Sequence, residues 1–516
     1  MRGAILGALV GLALAVPAQP QPPPIAHVAH VTATPRAATP KLVVAIVIDQ
    51  FRYDYLTRFR SEYTGGLKRL LTEGADFTNA RYRHYPTVTA VGHSTFLSGA
   101  TPSMSGIIGN EWWDRTTGAV VTSVSDTQTQ LLGGAGAGSS PRRLLQSTVG
   151  DELKASGKGG KVIGISIKDR AAILPSGHSA DAAYWFDSSS GNFVSSTYYF
   201  ATLPPWVADT NQHHPADKYA GREWMTHKMP TAGPALYQQM EATPYGNELI
   251  QQFALRALAA EKLGTSGKTD LLTVSYSAND YVGHRYGPDS PEVHDMALRV
   301  DKLLGELLQA ADAQAGAGNV LAVLTADHGV APLPEQNRKR KMPGGRLNFE
   351  PVRALLESQL TAKFGGSHWV LYSSEAGIYL NLPSGADPAA VEAAAANVLR
   401  GQPHIARVYT RTQLLNDAVQ SDPVGTALRN GFNAERSGSV MMVLEPYWIL
   451  AATGATHGSP YDYDSHVPML FLGPRVKAGR YDSNVAPNDI APTLATILDI
   501  ETPSGSSGRV LTEMLK

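Results

Sequence analysis

The 516-residue sequence predicts a doubly wound α/β fold on a mostly parallel sheet, with inserted loops and a small α+β cap. Three observations lead there. Short apolar runs rich in β-branched residues recur without polar alternation, as in strands buried on both faces. Helical patterns separate them, which is the order of a parallel sheet wrapped by helices. Residues able to do chemistry stand where the runs end, and in such sheets ligands sit beyond the carboxyl ends of the strands.

In chain order, residues 1–18 read as a secretory signal peptide. Arg2 gives the charged start, Ala4 to Val16 the apolar stretch, and Val16-Pro17-Ala18 the small-residue cleavage site. The apolar stretch is too short to span a bilayer, and no later segment reaches that length, so no membrane span is expected in the mature chain. Residues 19–40, rich in Pro, Ala, Thr and His, read as a disordered linker. The expected destination is the periplasm or the medium. A catalytic domain then fills 41–516.

Its strands are expected at Lys41 to Ile48, Lys161 to Ile167, Leu271 to Tyr276, Val320 to Thr325 and Met469 to Leu472. Helices are expected at Gly66 to Glu73, ended by Gly74, at Glu152 to Ala155, and from Ser290-Pro291-Glu292 onward. In the last, a capping Ser and a Pro at the first helical position precede an apolar face of Leu298, Val300, Leu303, Leu304, Leu307 and Leu308. Pro141 to Trp224 and beyond reads as a loop-rich insertion around the ordered piece Lys161 to Arg170. Residues from Arg346 to about Arg436 read as the cap, with strands at Ala376 to Asn381 and Ile405 to Tyr409 and a helix at Asp387 to Leu399. No internal repeat is present.

Composition excludes several chemistries. A net charge of −1 leaves no footprint for nucleic acid or an anionic membrane, and the short basic run Asn337 to Met342 reads as a solvated loop. There is no cysteine, so thiolate nucleophiles, cysteine-based zinc sites, iron–sulfur clusters and disulfides are all absent.

What remains is an oxygen and nitrogen chemistry. Tyr85 to Asn110 places Thr89 ahead of a helix expected over His93 to Leu97 and closed near Gly99. A hydroxyl at a helix N-terminus meets unpaired N–H groups and the positive end of the dipole, which suits an anion or an alkoxide. Asp280 and His284 lie four apart, a spacing that points both to one side of a helical turn. Asp327 and His328 follow a strand on a tight turn, His457 stands beside Gly458, and Asp49 ends the first strand. With Thr89 these residues suit two divalent ions. Carboxylate with imidazole fits zinc best, with manganese and similar ions also admitted, and the loop Asp187 to Asn192 stays open as a structural calcium site.

The set resembles the alkaline phosphatase superfamily, and most closely its exported bacterial branch with a threonine nucleophile, on the scaffold shared with type I phosphodiesterases and nucleotide pyrophosphatases. The matching segments are Val47 to Asp54, Pro86 to His93, Gly109-Asn110, Lys168-Asp169-Arg170, Asp280 to His284, Asp327-His328-Gly329 and His457 to His466. The resemblance implies one zinc held by Asp49, Asp327 and His328 in contact with Thr89, and a second held by Asp280, His284 and His457, with His466 the rival for the last place.

It also implies a phosphate monoester hydrolase acting through a phosphothreonine on Thr89. Asn110, Lys168 and Arg170, the last two expected on one side of a short strand, would meet the phosphoryl oxygens. Two cations favour the extra charge of a monoester, and small-molecule phosphate monoesters are the expected substrates. An exported phosphodiesterase or nucleotide pyrophosphatase on the same scaffold is the alternative; an inactive metal- or phosphate-binding envelope protein is the reading from another class.

Overall fold

The computed structural model describes Met1 and residues 39–516. Apart from Met1 and the last two linker positions, the signal peptide and linker expected over 1–40 lie outside the described residues. Among the described residues no helix is long and apolar enough to cross a membrane.

An eleven-stranded sheet organises the molecule. An interior strand, Leu42–Ile48, buries all seven side chains, as its unbroken LVVAIVI run requires of a strand covered on both faces. Thr269–Tyr276 lies parallel on one side and Val320–Thr325 on the other; Gly159–Ser166 and then Ala182–Asp187 extend the parallel part. Register does the functional work. Ile48 pairs with Tyr276, Val47 with Thr325, and Ser275 with Ser166, so four strands finish along one edge. Asp49, Asp280, Asp327 and Lys168 all follow from that edge.

The sheet is mixed rather than mostly parallel throughout. Met469–Leu472 runs antiparallel to Val320–Thr325 and to Ala75–Ala80, and at the other end Asn192–Ser196 runs antiparallel to Ala182–Asp187. The direction of Met469–Leu472 has a simple cause. The preceding segment carries His457 at the site edge, so the strand starts there and runs back. Within the loop-rich stretch Pro141 to Trp224, Gly159–Ser166, Ala182–Asp187 and Asn192–Ser196 are members of the main sheet.

The 25-residue helix Pro291–Ala315 starts with Ser290 accepting from the Val293 N–H and buries Val300, Leu304, Leu307 and Leu308. Its buried Asp301 accepts the N–H groups of Thr64, Gly65, Leu67 and Lys68, capping helix Gly66–Glu73 from a distant part of the chain. A second sheet orders Val370–Ser374, Gly377–Leu380, Val440–Leu444 and Ile405–Thr410 under helices Phe349–Phe364 and Pro388–Arg400. Its third strand in that order follows the 346–436 stretch in sequence.

Candidate active site

Thr89 is the first residue of helix Thr89–Ser98, four positions earlier than the sequence pattern suggests, and Gly99 closes the helix at φ 68°. The residue before it, Val88, has no side chain able to cap, so the helix start is served from elsewhere in the chain. Asn110 accepts the Ala90 N–H through Oδ1 at 2.9 Å, which anchors its side chain one residue from Thr89. Gly92 permits close docking: a Cβ there would stand 2.2 Å from the Asp327 carbonyl oxygen and 2.6 Å from its Cβ.

Two trios of ligand-type side chains converge near Thr89. Asp49, Asp327 and His328 form one, and Asp280, His284 and His457 the other. The Thr89 hydroxyl lies 3.4 Å from His328 Nε2 at the border of the first trio. All three imidazoles are oriented alike. Nδ1 of His328, His284 and His457 bonds the carbonyls of Gly329, Ala455 and Thr87 at 2.9, 2.7 and 2.9 Å. A carbonyl only accepts, so each Nδ1 carries a hydrogen and each Nε2 is turned to the carboxylates, the position from which a neutral imidazole would bind a cation. His328 Nε2 is 3.5 Å from Asp49 and 3.3 Å from Asp327; His284 and His457 Nε2 are 3.1 and 3.6 Å from Asp280.

These donors fit divalent cations. Asp49 Oδ1 and Asp327 Oδ2 are buried carboxylate oxygens without a hydrogen-bond partner, a costly arrangement unless a cation is their intended partner. Burial, reinforced by the neighbouring Asp49, pushes the Asp327 carboxyl well above its usual range. Burial pushes His328 down to about 3, keeping it neutral as a ligand must be. At Asp280 burial raises the pKa, but His284 and Lys168 outweigh it and hold the carboxyl well below its usual range. Burial lowers the His284 pKa too, and Asp280 overrides that to lift it to about 9.

Exposure grades across the pair. The side chains of Asp49, Asp327 and His328 are 0% exposed, whereas His284 is 35% exposed, so the site is sealed at the Thr89 end and opens at the far trio.

Lys168 and Arg170 do not share one side of a strand. The strand ends at Ser166; Lys168 is the residue before helix Asp169–Ser176 and Arg170 its second residue. A strand-to-helix turn breaks the two-residue alternation that would have aligned them. Lys168 is buried, with Nζ 2.8 Å from Asp49, 2.6 Å from Asp280 and 3.5 Å from Thr89. Burial opposes its charge, yet Asp280 and Asp49 win and raise its pKa. The Arg170 guanidinium is 27% exposed, 3.9 Å from Asp169, with a buried Nε that has no partner.

His466 is elsewhere: it bonds the Thr78 carbonyl and stacks on Tyr53 at 4.5 Å. Asp187 is engaged by the hydroxyls of Ser189 and Ser190. Sequence reasoning missed Gln50, whose N–H donates to Asp327 and whose Nε2 donates to Asp280 at 2.6 Å, bridging both trios. Its φ of 59° turns the side chain back into the site, and Gly283 makes room, since a Cβ there would stand 1.8 Å from Gln50 Oε1. The signal was its place next to Asp49. His93, one turn along the Thr89 helix, is fully buried between the Thr89 carbonyl and Ser275.

Residues 43–466 match the family model described as type I phosphodiesterase / nucleotide pyrophosphatase. The chain belongs to that family. Its relatives include the alkaline phosphatase PhoV of Synechococcus elongatus, 38% identical with 93% of this chain and 94% of PhoV covered. A Myroides odoratus protein named a calcium-transporting ATPase is 37% identical over 94% of this chain and 96% of its own. Alkaline phosphatase PafA of Elizabethkingia meningoseptica is 35% identical over 92% and 94%. A crystal structure of wild-type PafA superposes with a TM-score of 0.86 at 33% identity, covering 94% of this chain and all of the other. Membership of the type I phosphodiesterase / nucleotide pyrophosphatase family thus comes with alkaline phosphatases as near-full-length relatives.

Proposed function

We propose that this chain is an alkaline phosphatase that hydrolyses phosphate monoesters through a phosphothreonine on Thr89, with one zinc ion in each trio. The observation that carries the reading is the Thr89 hydroxyl at a helix start, 3.4 Å from His328 and 3.5 Å from the Lys168 ammonium. Asp49, Asp327 and His328 would hold one ion and Asp280, His284 and His457 the other. When bound, such ions lower the pKa of a hydroxyl and offset charge on a leaving oxygen.

Thr89 gives up its hydroxyl proton to solvent as Oγ1 bonds to phosphorus and the ester P–O bond opposite it breaks, the alcohol leaving with a proton taken from solvent. Water then cleaves the Thr89–phosphate bond, releasing inorganic phosphate and restoring the hydroxyl. The Asn110 NH₂ group and the Lys168 and Arg170 cations meet the non-bridging oxygens, where charge is spread during transfer. Asn110 is held in place by Ala90, so it needs no reorganisation. Two cations beside one phosphoryl group favour the monoester over a diester, which has one negative charge fewer. The N-terminal segment supports export, with the enzyme acting in the periplasm or the medium.

The test measures metal content by mass together with rates on 4-nitrophenyl phosphate and bis(4-nitrophenyl) phosphate. Two zinc per chain and a strong monoester preference are expected. A diester preference would return the chain to the phosphodiesterase reading, and metal binding without turnover to an inactive binding protein.

A further inference from the structure

A cavity of about 390 Å³ adjoins the open trio, between the main sheet's site edge and the cap. His457 belongs to both. Tyr85 and Tyr463 line it from the body, Phe349 and Ile378 from the cap, and Trp448 from the segment that follows the cap sheet. Leu450, 48% exposed, stands at its rim. No lysine or arginine lines it, whereas Glu375 and Asp464 do.

We propose that this cavity is the leaving-group subsite, and that it selects phosphate monoesters of uncharged aromatic or bulky apolar alcohols. The inference rests on the monoesterase reading above and adds the substrate class. In an in-line displacement the departing oxygen lies opposite the attacking one. Thr89 borders the sealed trio, so the departing oxygen faces Asp280, His284 and His457, and the organic group attached to it continues past His457 into the cavity. A cavity of this size takes a ring system, and aromatic and aliphatic walls stabilise one by burial. With no lysine or arginine on its wall, the cavity offers no partner to a leaving group that carries further phosphate or carboxylate. The cap thereby acquires a role: Phe349 and Ile378 are its contribution to substrate choice.

The experiment compares 2-phenylethyl phosphate with ethyl phosphate, whose alcohols are of similar acidity, so chemistry alone separates them little. The wild-type zinc enzyme is expected to favour the phenylethyl ester by at least about tenfold in kcat/KM. Phe349→Ala, and separately Leu450→Glu at the exposed rim, should cut that preference severalfold while ethyl phosphate stays within about twofold. Binding gives a second readout: calorimetry should find 2-phenylethylphosphonate bound several times more tightly than ethylphosphonate, with the gap narrowed in both variants. Equal kcat/KM for the two esters, or variants that change both alike, would overturn the subsite while leaving the phosphatase intact. Failure of the zinc-loaded protein to hydrolyse either ester would overturn the monoesterase reading and the subsite with it.

Discussion

The rings of His328 and His457 lie face to face, 3.5 Å between centroids and 13° from parallel. One belongs to each trio, so the two ligand sets are a single packed unit. A perturbation at one is felt at the other.

Thr89→Ala should reduce monoester turnover by about 10⁴-fold or more, because a covalent route is lost, with zinc content unchanged. Thr89→Ser should recover a substantial part. Trapping with radiolabelled substrate in acid checks the assignment directly: label should stay on the wild-type and Ser proteins and be missing from the Ala variant. Full turnover by Thr89→Ala would remove the nucleophile.

Gln50→Ala deletes the donor bridging Asp280 and leaves ligands less constrained. Zinc affinity should fall by about 10- to 100-fold, the usual cost of losing such support. Competition with a chromogenic chelator measures this, and near-normal kcat at saturating zinc would separate a supporting role from a catalytic one.

Gly92→Ala presses a methyl group into the Asp327 backbone. Helix Thr89–Ser98 must then withdraw, at about 2 kcal/mol in urea unfolding, against the small gain Ala usually brings inside a helix. Activity should fall with stability, since the same displacement moves Thr89.

His284, lifted to about 9 by Asp280, is protonated at neutral pH in the metal-free protein. An entering cation displaces that proton. The apparent zinc dissociation constant of the open trio should therefore fall about tenfold per pH unit as pH rises toward 9, then level off. Titrations at pH 7, 8 and 9 check the slope, and His284→Asn should flatten it while weakening binding overall.

Arg170→Ala should lower kcat/KM for the monoester by about 10²-fold and for the diester much less, because the guanidinium meets charge that the diester lacks. The ratio of the two rates is the readout. Equal losses would make Arg170 a general anion anchor instead.

Much of this was legible beforehand because carboxylates and imidazoles announce themselves at strand ends, and the four-residue spacing of Asp280 and His284 survives in helix Ala278–Tyr286. Other features were hidden for physical reasons. The start of the Thr89 helix is masked by Thr89, Val91 and Gly92, all weak helix formers, and tertiary contact overrides them. Lys168 and Arg170 sit where a strand becomes a helix, and neither period applies there. Gln50 carries no titratable group, so its bridging role shows only in three dimensions. Between His457 and His466, residue spacing is silent; the fold of the loop separates them, one beside Asp280 and the other against Tyr53.

Asp49, Asp280, Asp327 and His457 come from remote stretches of a polypeptide that has no cysteine and hence no covalent staple. Ions clasped among them would tie those stretches together reversibly. Chelation should then do more than silence the enzyme: digestion by a broad protease should quicken on adding chelator and slow again on returning zinc.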